Sequence, residues 1–308
     1  MTPPIADIAL LTEHRHEAST AAPDDWYLGN ILHDDRLLSE ALAEHGLTTT
    51  RVDWARPDVD WSQFRCLVFR TIWDYFVRFD EFTAWLERVD GLTTLCNTSS
   101  IVRWNMDKHY LADLESRGIP IVACRFIERG DTGSLAEHLA ASGWKEAVIK
   151  PAVSGAARHT YRVNRENAGE LESVVARLLT AEALILQPFV EEIMRDGEDT
   201  LMVLNGKYTH AVRKTAKPGD FRVQVDHGGT VCDLTPTAEQ IELAERAMAA
   251  CRPLPAYGRV DMVRDNEGRL AIMELELIEP ELWLRHNPPA AKEMAAAIAK
   301  GIGSRKVL

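Results

Sequence analysis

Apolar positions along the chain follow two rhythms. Ile5 to Leu11, Cys66-Leu-Val-Phe-Arg, Ala147-Val-Ile-Lys-Pro, Leu184-Ile-Leu-Gln-Pro-Phe-Val and Leu201-Met-Val-Leu are short, nearly unbroken runs of the length that buried strands have. Ile31 to His45, Phe79 to Val89, Ser134 to Ala141, Glu166 to Leu179 and Thr237 to Cys251 carry apolar residues at helical spacing. Gly46 marks the stop of the first of these helices, and Thr235 or Thr237 caps the last. Asn105 is expected to cap a further helix ending near Gly118-Ile-Pro, with strands at Ile121 to Ile127 and Tyr161 to Val163 after it. An Ala-rich helix is expected over about residues 290–300. Asn205-Gly206 joins Leu201–Leu204 to Lys207–Lys214 as a hairpin, and Lys217 to Thr230, with Gly219, Gly228 and Gly229, reads as a mobile loop. The alternation predicts an α/β chain: a small βαβ-type lobe to about residue 100, then α+β lobes packed together without a long linker.

The last hairpin is the most informative stretch. Tyr257-Gly-Arg-Val-Asp-Met-Val and Met273-Glu-Leu-Glu-Leu-Ile-Glu-Pro flank a turn that contains Gly268. Strand side chains alternate between faces, so Arg259 and Asp261 share one face of the first strand, and Glu274 and Glu276 share one face of the second. A turn at Glu267-Gly268 places Asp261 opposite Glu274 and Arg259 opposite Glu276. Three carboxylates on one side of a strand pair repel one another unless cations sit among them, and hard divalent cations take this ligand set. A solvated acidic face is the alternative reading.

Composition narrows the classes. The 308 residues are 46% apolar and 27% charged, with a net charge of −12, as in a globular protein with two or three cored lobes. Such acidity argues against nucleic acid as a partner, and without a run of eighteen apolar residues a membrane span is not expected. Met1-Thr-Pro-Pro-Ile-Ala-Asp has neither a basic segment nor an apolar signal core, so cytoplasmic residence is the default expectation. The five scattered cysteines form no C-x-x-C pair and are expected to be reduced. His14 and His16 read as loop residues rather than metal ligands.

Neither G-x-x-x-x-G-K-[ST] nor G-x-G-x-x-G after a strand occurs. Lys108 opens a helix, and Lys150 ends an apolar strand just before Val153-Ser154-Gly155-Ala-Ala, where an ammonium and several N–H groups can surround phosphate oxygens. An exposed strand-end lysine is equally compatible with Lys150. Arg213 and Lys214 extend the positive charge. Gln187-Pro-Phe189-Val190 reads as a hinge whose backbone reads an adenine edge while Phe189 or Val190 packs on the ring, and Glu198 as an acceptor for ribose hydroxyls.

In order, Lys108, Val148-Ile-Lys150-Pro, the Gln187–Val190 hinge, Arg213-Lys214, Phe221-Arg222-x-Gln224…Gly228-Gly229, Arg259-x-Asp261 and Glu274-x-Glu276 resemble the ATP-grasp superfamily of carboxylate ligases. Glu276 stands where those enzymes usually carry Asn, and Gln224 where Asn is common. Phe69-Arg-Thr-Ile-Trp-Asp-Tyr, Trp104-Asn-Met-Asp-Lys and Leu275-Glu-Leu-Ile-Glu-Pro look similar to a bacterial branch that closes O-ureido-serine in D-cycloserine formation. The resemblance implies a pre-ATP-grasp substrate domain at 1–100, a small ATP-grasp lobe at 101–186 and a catalytic lobe at 187–308. It implies ATP and two Mg²⁺ ions, held by Asp261, Glu274 and Glu276 with Glu274 bridging. Lys108, Lys150, Ser154, Gly155, Lys214 and Arg213 then belong to nucleotide phosphate binding, Arg259 to the developing phosphoryl charge and Arg222 to carboxylate orientation. Gly228-Gly229 closes over the acyl phosphate. Arg70, Trp73 and Asp74 wall a small amino-acid-like carboxylate substrate, with a buried aromatic corner as the alternative. An intermolecular amide or peptide ligase, or a small-molecule kinase on the same fold, satisfies the same residues, and a homo-oligomer is left open.

Overall fold

The computed structural model describes residues 6–223 and 228–304. Three sheets organise the chain. The first is parallel, ordered β2-β1-β3-β4, from β1 (Ile8–Thr12), β2 (Thr49–Asp53), β3 (Cys66–Thr71) and β4 (Thr94–Cys96). Its continuous apolar runs follow from burial on both faces. Ile8, Leu10, Cys66 and Val68 pack toward α1 (Trp26–Ala43), while Ala9, Leu11, Leu67 and Phe69 join Trp54, Phe82 and Trp85, the last two on α2 (Phe79–Asp90).

The second sheet is antiparallel, ordered β5-β8-β6-β7, from β5 (Arg125–Ile127), β6 (Glu146–Pro151), β7 (Tyr161–Asn164) and β8 (Leu184–Pro188). Ala147 and Ile149 face the core under α3 (Leu135–Ser142) and α4 (Ala168–Leu179). Alternation turns Val148 and Lys150 to the opposite face. The third sheet, ordered β11-β10-β9-β12-β13, comprises β9 (Glu198–Leu204), β10 (Lys207–Thr215), β11 (Thr230–Asp233), β12 (Tyr257–Arg264) and β13 (Leu270–Glu276). It is backed by α5 (Ala238–Ala250), whose N-cap Thr237 forms a capping box with Gln240. The Ala-rich C-terminal helix (Ala290–Ser304) returns to pack on α1 and the first sheet.

Several elements differ from expectation. Asn105 caps no helix: it ends a short one, Ser99–Asn105, that the apolar spacing does not reveal, and the next helix begins at Tyr110. The strand expected from Ile121 shrinks to Arg125–Ile127 plus a single bridge between Ile121 and Ile272. β2 was not anticipated, because Thr-Thr-Arg-Val-Asp is an edge strand with mostly polar residues.

The first lobe is locked to the last hairpin. The Tyr257 hydroxyl lies 3.0, 3.1 and 2.9 Å from the carbonyl oxygens of Phe69, Cys96 and Ile278. Asn97 Nδ2 donates to Tyr257 O (2.9 Å) and Leu277 O (2.7 Å). Among the described residues, no helix is long and apolar enough to cross a membrane.

Candidate active site

The three sheets meet around a cleft of about 920 Å³, within the size range of small-molecule sites. Its floor is the last hairpin, in the expected register: Arg259 pairs with Glu276 and Asp261 with Glu274, and a bulge follows Asp261. β13 is a sheet edge, yet its backbone is satisfied by side chains. Asn105 donates to Leu275 O and accepts from Leu277 N–H, both at 2.8 Å, and Tyr110 Oη accepts from Leu275 N–H at 2.9 Å. These bonds flank Glu274 and Glu276 and fix where their carboxylates point.

Asp261 accepts from Thr200 Oγ1 (2.8 Å), Lys214 Nζ (2.9 Å) and Arg259 Nη2 (2.9 Å). Arg259 also pairs with Glu276, and Lys214 with Glu198. Across the cleft, Lys108 Nζ lies 2.8 Å and Lys150 Nζ 3.7 Å from Glu274. Burial works to raise Glu274, but Lys108 and Lys150 outweigh it and hold the carboxyl well below the usual carboxylate range. Burial likewise opposes ionisation of Asp261, and Arg259 and Lys214 overcome it. Lys150 is lowered by burial and by neighbouring Lys108. Glu276 is pushed up to about 7 by burial, reinforced by Asp261 and Glu274. Burial and Glu276 push Glu279, which also lines the cleft, up to about 8.

These two shifts have a sign. Carboxyls raised from 4.5 to about 7 and 8 favour the folded state while protonated. Their contribution is complete below the unfolded value and is lost as pH rises through the raised values. Without metal or nucleotide, the melting temperature of Glu279→Gln is expected to fall less between about pH 5 and 8 than that of the wild type. Parallel melting curves at matched pH check this.

The upper wall is the second sheet and its loop. Ser154 O accepts from Lys108 Nζ at 2.8 Å, and Ser154 Oγ donates to Arg158 O at 3.1 Å. A Cβ on Gly155 would sit 2.6 Å from the Phe76 ring, so only glycine lets this loop approach. Gln187 lines the cleft and is buried, and its Nε2 donor has no partner. Phe189 and Val190 line the cleft. The hinge backbone is less free than expected at Phe189, whose N–H donates to Glu146 O (3.0 Å) and whose carbonyl accepts from Asn266 Nδ2 (2.8 Å). Its ring carries the Arg162 guanidinium at 3.7 Å. Arg222 lines the cleft with Phe221 and Val223, held two-pronged by Asp220 at 2.8 and 3.0 Å. Gln224 lies outside the described residues.

Two expectations are corrected. Arg213 does not join the phosphate side. It neighbours Lys214 on one strand, so alternation turns it to the back face, where it pairs with Asp199 at 2.6 and 3.0 Å. Arg213→Ala is therefore expected to leave KM for ATP within about twofold and to cost at most about 1 kcal/mol of stability. Steady-state kinetics and denaturant unfolding check both. Arg70 does not wall the cleft either. It shares a face with Cys66 and Val68, so it points to α1 and pairs with Asp35 at 2.8 Å. Gly228 and Gly229 lie just before β11 and outside the cleft lining, so any cover they give an acyl phosphate would come from closure. Trp73 and Asp74 do line it, with Asp74 engaged by Trp54 Nε1 (2.7 Å) and Arg78 (2.9 Å).

The remaining wall was not anticipated. Glu13, His16 and Tyr27 follow β1, Phe76 follows β3, and Glu279 and Glu281 follow β13. Only the Glu-Leu-Ile-Glu-Pro run gave a local signal, through the acid that it places after the hairpin. The hairpin carboxylates are hard oxygen donors on one face. Burial, with Asp261 and Glu274 nearby, raises Glu276 despite its Arg259 partner, so added positive charge would be accommodated and these residues fit a divalent cation.

Residues 8–97 match the family described as D-cycloserine synthetase DcsG, N-terminal domain, and residues 132–253 match Prokaryotic glutathione synthetase, ATP-grasp domain. The chain is 36% identical over 281 residues to cycloserine biosynthesis protein DcsG of Streptomyces lavendulae, covering 88% of this chain and 94% of that one. The chain belongs to the DcsG family of ATP-grasp ligases. The crystal structure of D-cycloserine synthetase DcsG superposes with a TM-score of 0.81 at 34% identity, over 96% of this chain and 99% of that one. The ATP-grasp ligase PsnB, complexed with minimal precursor, Mg and ADP, shares the fold at 13% identity, with a TM-score of 0.59 over 96% and 98% of the two chains. The fold and ligase class expected from the motifs are thus those of the DcsG family.

Proposed function

We propose that this DcsG-family ligase activates the carboxylate of a small amino-acid-like substrate as an acyl phosphate. It then closes a C–N bond within the same molecule, as in cycloserine formation from O-ureido-serine. One observation carries the reading: Asp261, Glu274, Glu276 and Arg259 share a cleft wall that faces Lys108 and Lys150. Arg259 and the lysines, with the cations that the acids would hold, offset the charge of two anionic reactants held against each other. Likeness to proteins named for cycloserine along nearly the whole chain supports ring closure. So does the aromatic group His16, Tyr27 and Trp73, which lines the cleft from the first lobe.

Lys108, Lys150 and Lys214, with the backbone around Ser154 and Gly155, hold phosphate oxygens. Gln187, Phe189 and Val190 form the base side, and Glu198 the ribose side. Asp261, Glu274 and Glu276 would hold two Mg²⁺ ions, whose charge offsets the triphosphate when bound. Arg222 orients the substrate carboxylate, and one of its oxygens bonds to the γ-phosphorus as the bond to ADP breaks. Arg259 meets the charge that gathers on the transferred group. The internal nitrogen then bonds to the acyl carbon and gives up a proton, and phosphate departs with the electron pair of the C–O bond. Side chains enclosing the cleft keep water from that carbon.

The test is an incubation with ATP, Mg²⁺ and O-ureido-serine. ADP and phosphate in equal amounts with a ring product are expected. A stable phosphate ester points to a kinase, and ADP formation only with an added amine points to intermolecular ligation.

A further inference from the structure

One carboxyl in the cleft is left without a partner. Glu13 is engaged by Arg15 (2.5 Å) and His16 (3.2 Å), Asp74 by Trp54 and Arg78, Glu281 by Arg285 (2.6 Å), and the hairpin acids and Glu198 by lysines and Arg259. Among the described residues lining the cleft, Glu279 is the acid whose carboxyl meets only its own backbone N–H. Leaving a half-buried acid unpaired is costly unless a ligand completes it.

We propose that Glu279 receives the α-ammonium group of the substrate. This rests on the ligase reading above and assigns the part of the cleft that recognises an amino acid rather than a plain carboxylic acid. The segment that presents the acid is stiff. Glu279 O accepts from Trp73 Nε1 at 3.0 Å, Ile278 O meets the Tyr257 hydroxyl at 2.9 Å, and Pro280 restricts the backbone that precedes it. The Trp73 ring lies beside His16 (5.5 Å between centroids) and Tyr27 (5.9 Å), so aromatic surface adjoins the acid. An ammonium group is held well by a carboxylate with aromatic faces nearby. Glu279 follows Glu276, the partner of Arg259, by three residues, and Arg259 acts on Glu279 electrostatically. An α-amino acid carries its ammonium and carboxylate on one carbon. With the ammonium on Glu279, the carboxylate is offered toward Arg259, where phosphoryl transfer is placed.

The experiment compares wild type and Glu279→Gln on two substrates: the ring-closing amino acid and its analogue with hydrogen in place of the α-amino group. On the amino substrate the variant is expected to lose about fiftyfold in kcat/KM, mostly through KM, the scale of one charged hydrogen bond. On the analogue it should lose less than about threefold, with KM for ATP unmoved on either. Equal losses on both substrates overturn the assignment, because Glu279 would then serve a step common to both, such as proton acceptance or cation binding. Unchanged kinetics overturn it as well. Should the variant fold poorly, the wild type decides alone: a strong preference for the amino substrate supports the assignment, and one under about threefold overturns it. If the wild type releases ADP with neither compound, the ligase reading itself fails and this assignment falls with it.

Discussion

Glu274→Gln is expected to lower kcat at least about a hundredfold while the protein stays folded, a loss of about 2.7 kcal/mol of transition-state stabilisation. Glutamine keeps the volume and one hydrogen-bond acceptor, so Lys108 retains a partner on β13 and the edge clamp from Asn105 and Tyr110 is untouched. What is lost is the negative charge that Lys108 and Lys150 hold ionised. Without it the cleft has one fewer ligand for a divalent cation and two lysines with a weaker counter-charge, just where the triphosphate must be positioned. The check is kcat beside circular dichroism and a melting curve. A folded variant with near wild-type turnover removes Glu274 from the chemistry.

Arg259→Lys should be more damaging, about a thousandfold in kcat, with KM for ATP changed only slightly. Arg259 reaches Asp261 through Nε (3.1 Å) and Nη2 (2.9 Å), and Glu276 through Nη2. A planar fork spanning two carboxylates cannot be copied by a single ammonium, so the substitution misplaces both acids and removes the cation beside the transferred group. ATP binding is spared because Lys108 and Lys150 belong to the opposite wall. A loss expressed mainly in KM for ATP would reassign Arg259 to nucleotide binding. Single-turnover measurements at saturating ATP separate the two cases.

The hairpin was legible because its signals are local. Alternation within each strand and a glycine-containing turn suffice to pair Asp261 with Glu274 and Arg259 with Glu276. Lys150 was legible for the same reason: Ala147 and Ile149 bury one face of β6, so the lysine belongs to the other. The same rule, applied to Arg213 beside Lys214, already excludes both from one face, and the expectation that grouped them ignored it. Arg70 was harder. Every residue of β3 is buried, so the run carries no alternation to say which face meets a cavity and which meets α1. Asn105 fits the profile of a helix cap, yet its amide serves a strand about 170 residues away, and no local pattern encodes such a contact. The wall made by His16, Tyr27, Trp73 and Glu279 is likewise assembled from distant segments and exists only once the first lobe docks on the hairpin.

The central claim is that the last hairpin holds divalent cations against the nucleotide. Its most direct test is titration of Mn²⁺, followed by electron paramagnetic resonance, into wild type and Glu274→Gln, with and without a non-hydrolysable ATP analogue. Tight Mn²⁺ binding is expected in the wild type only with the analogue present, weakened at least about tenfold in the variant, or about 1.4 kcal/mol. Equal Mn²⁺ affinity in the two proteins would contradict the account.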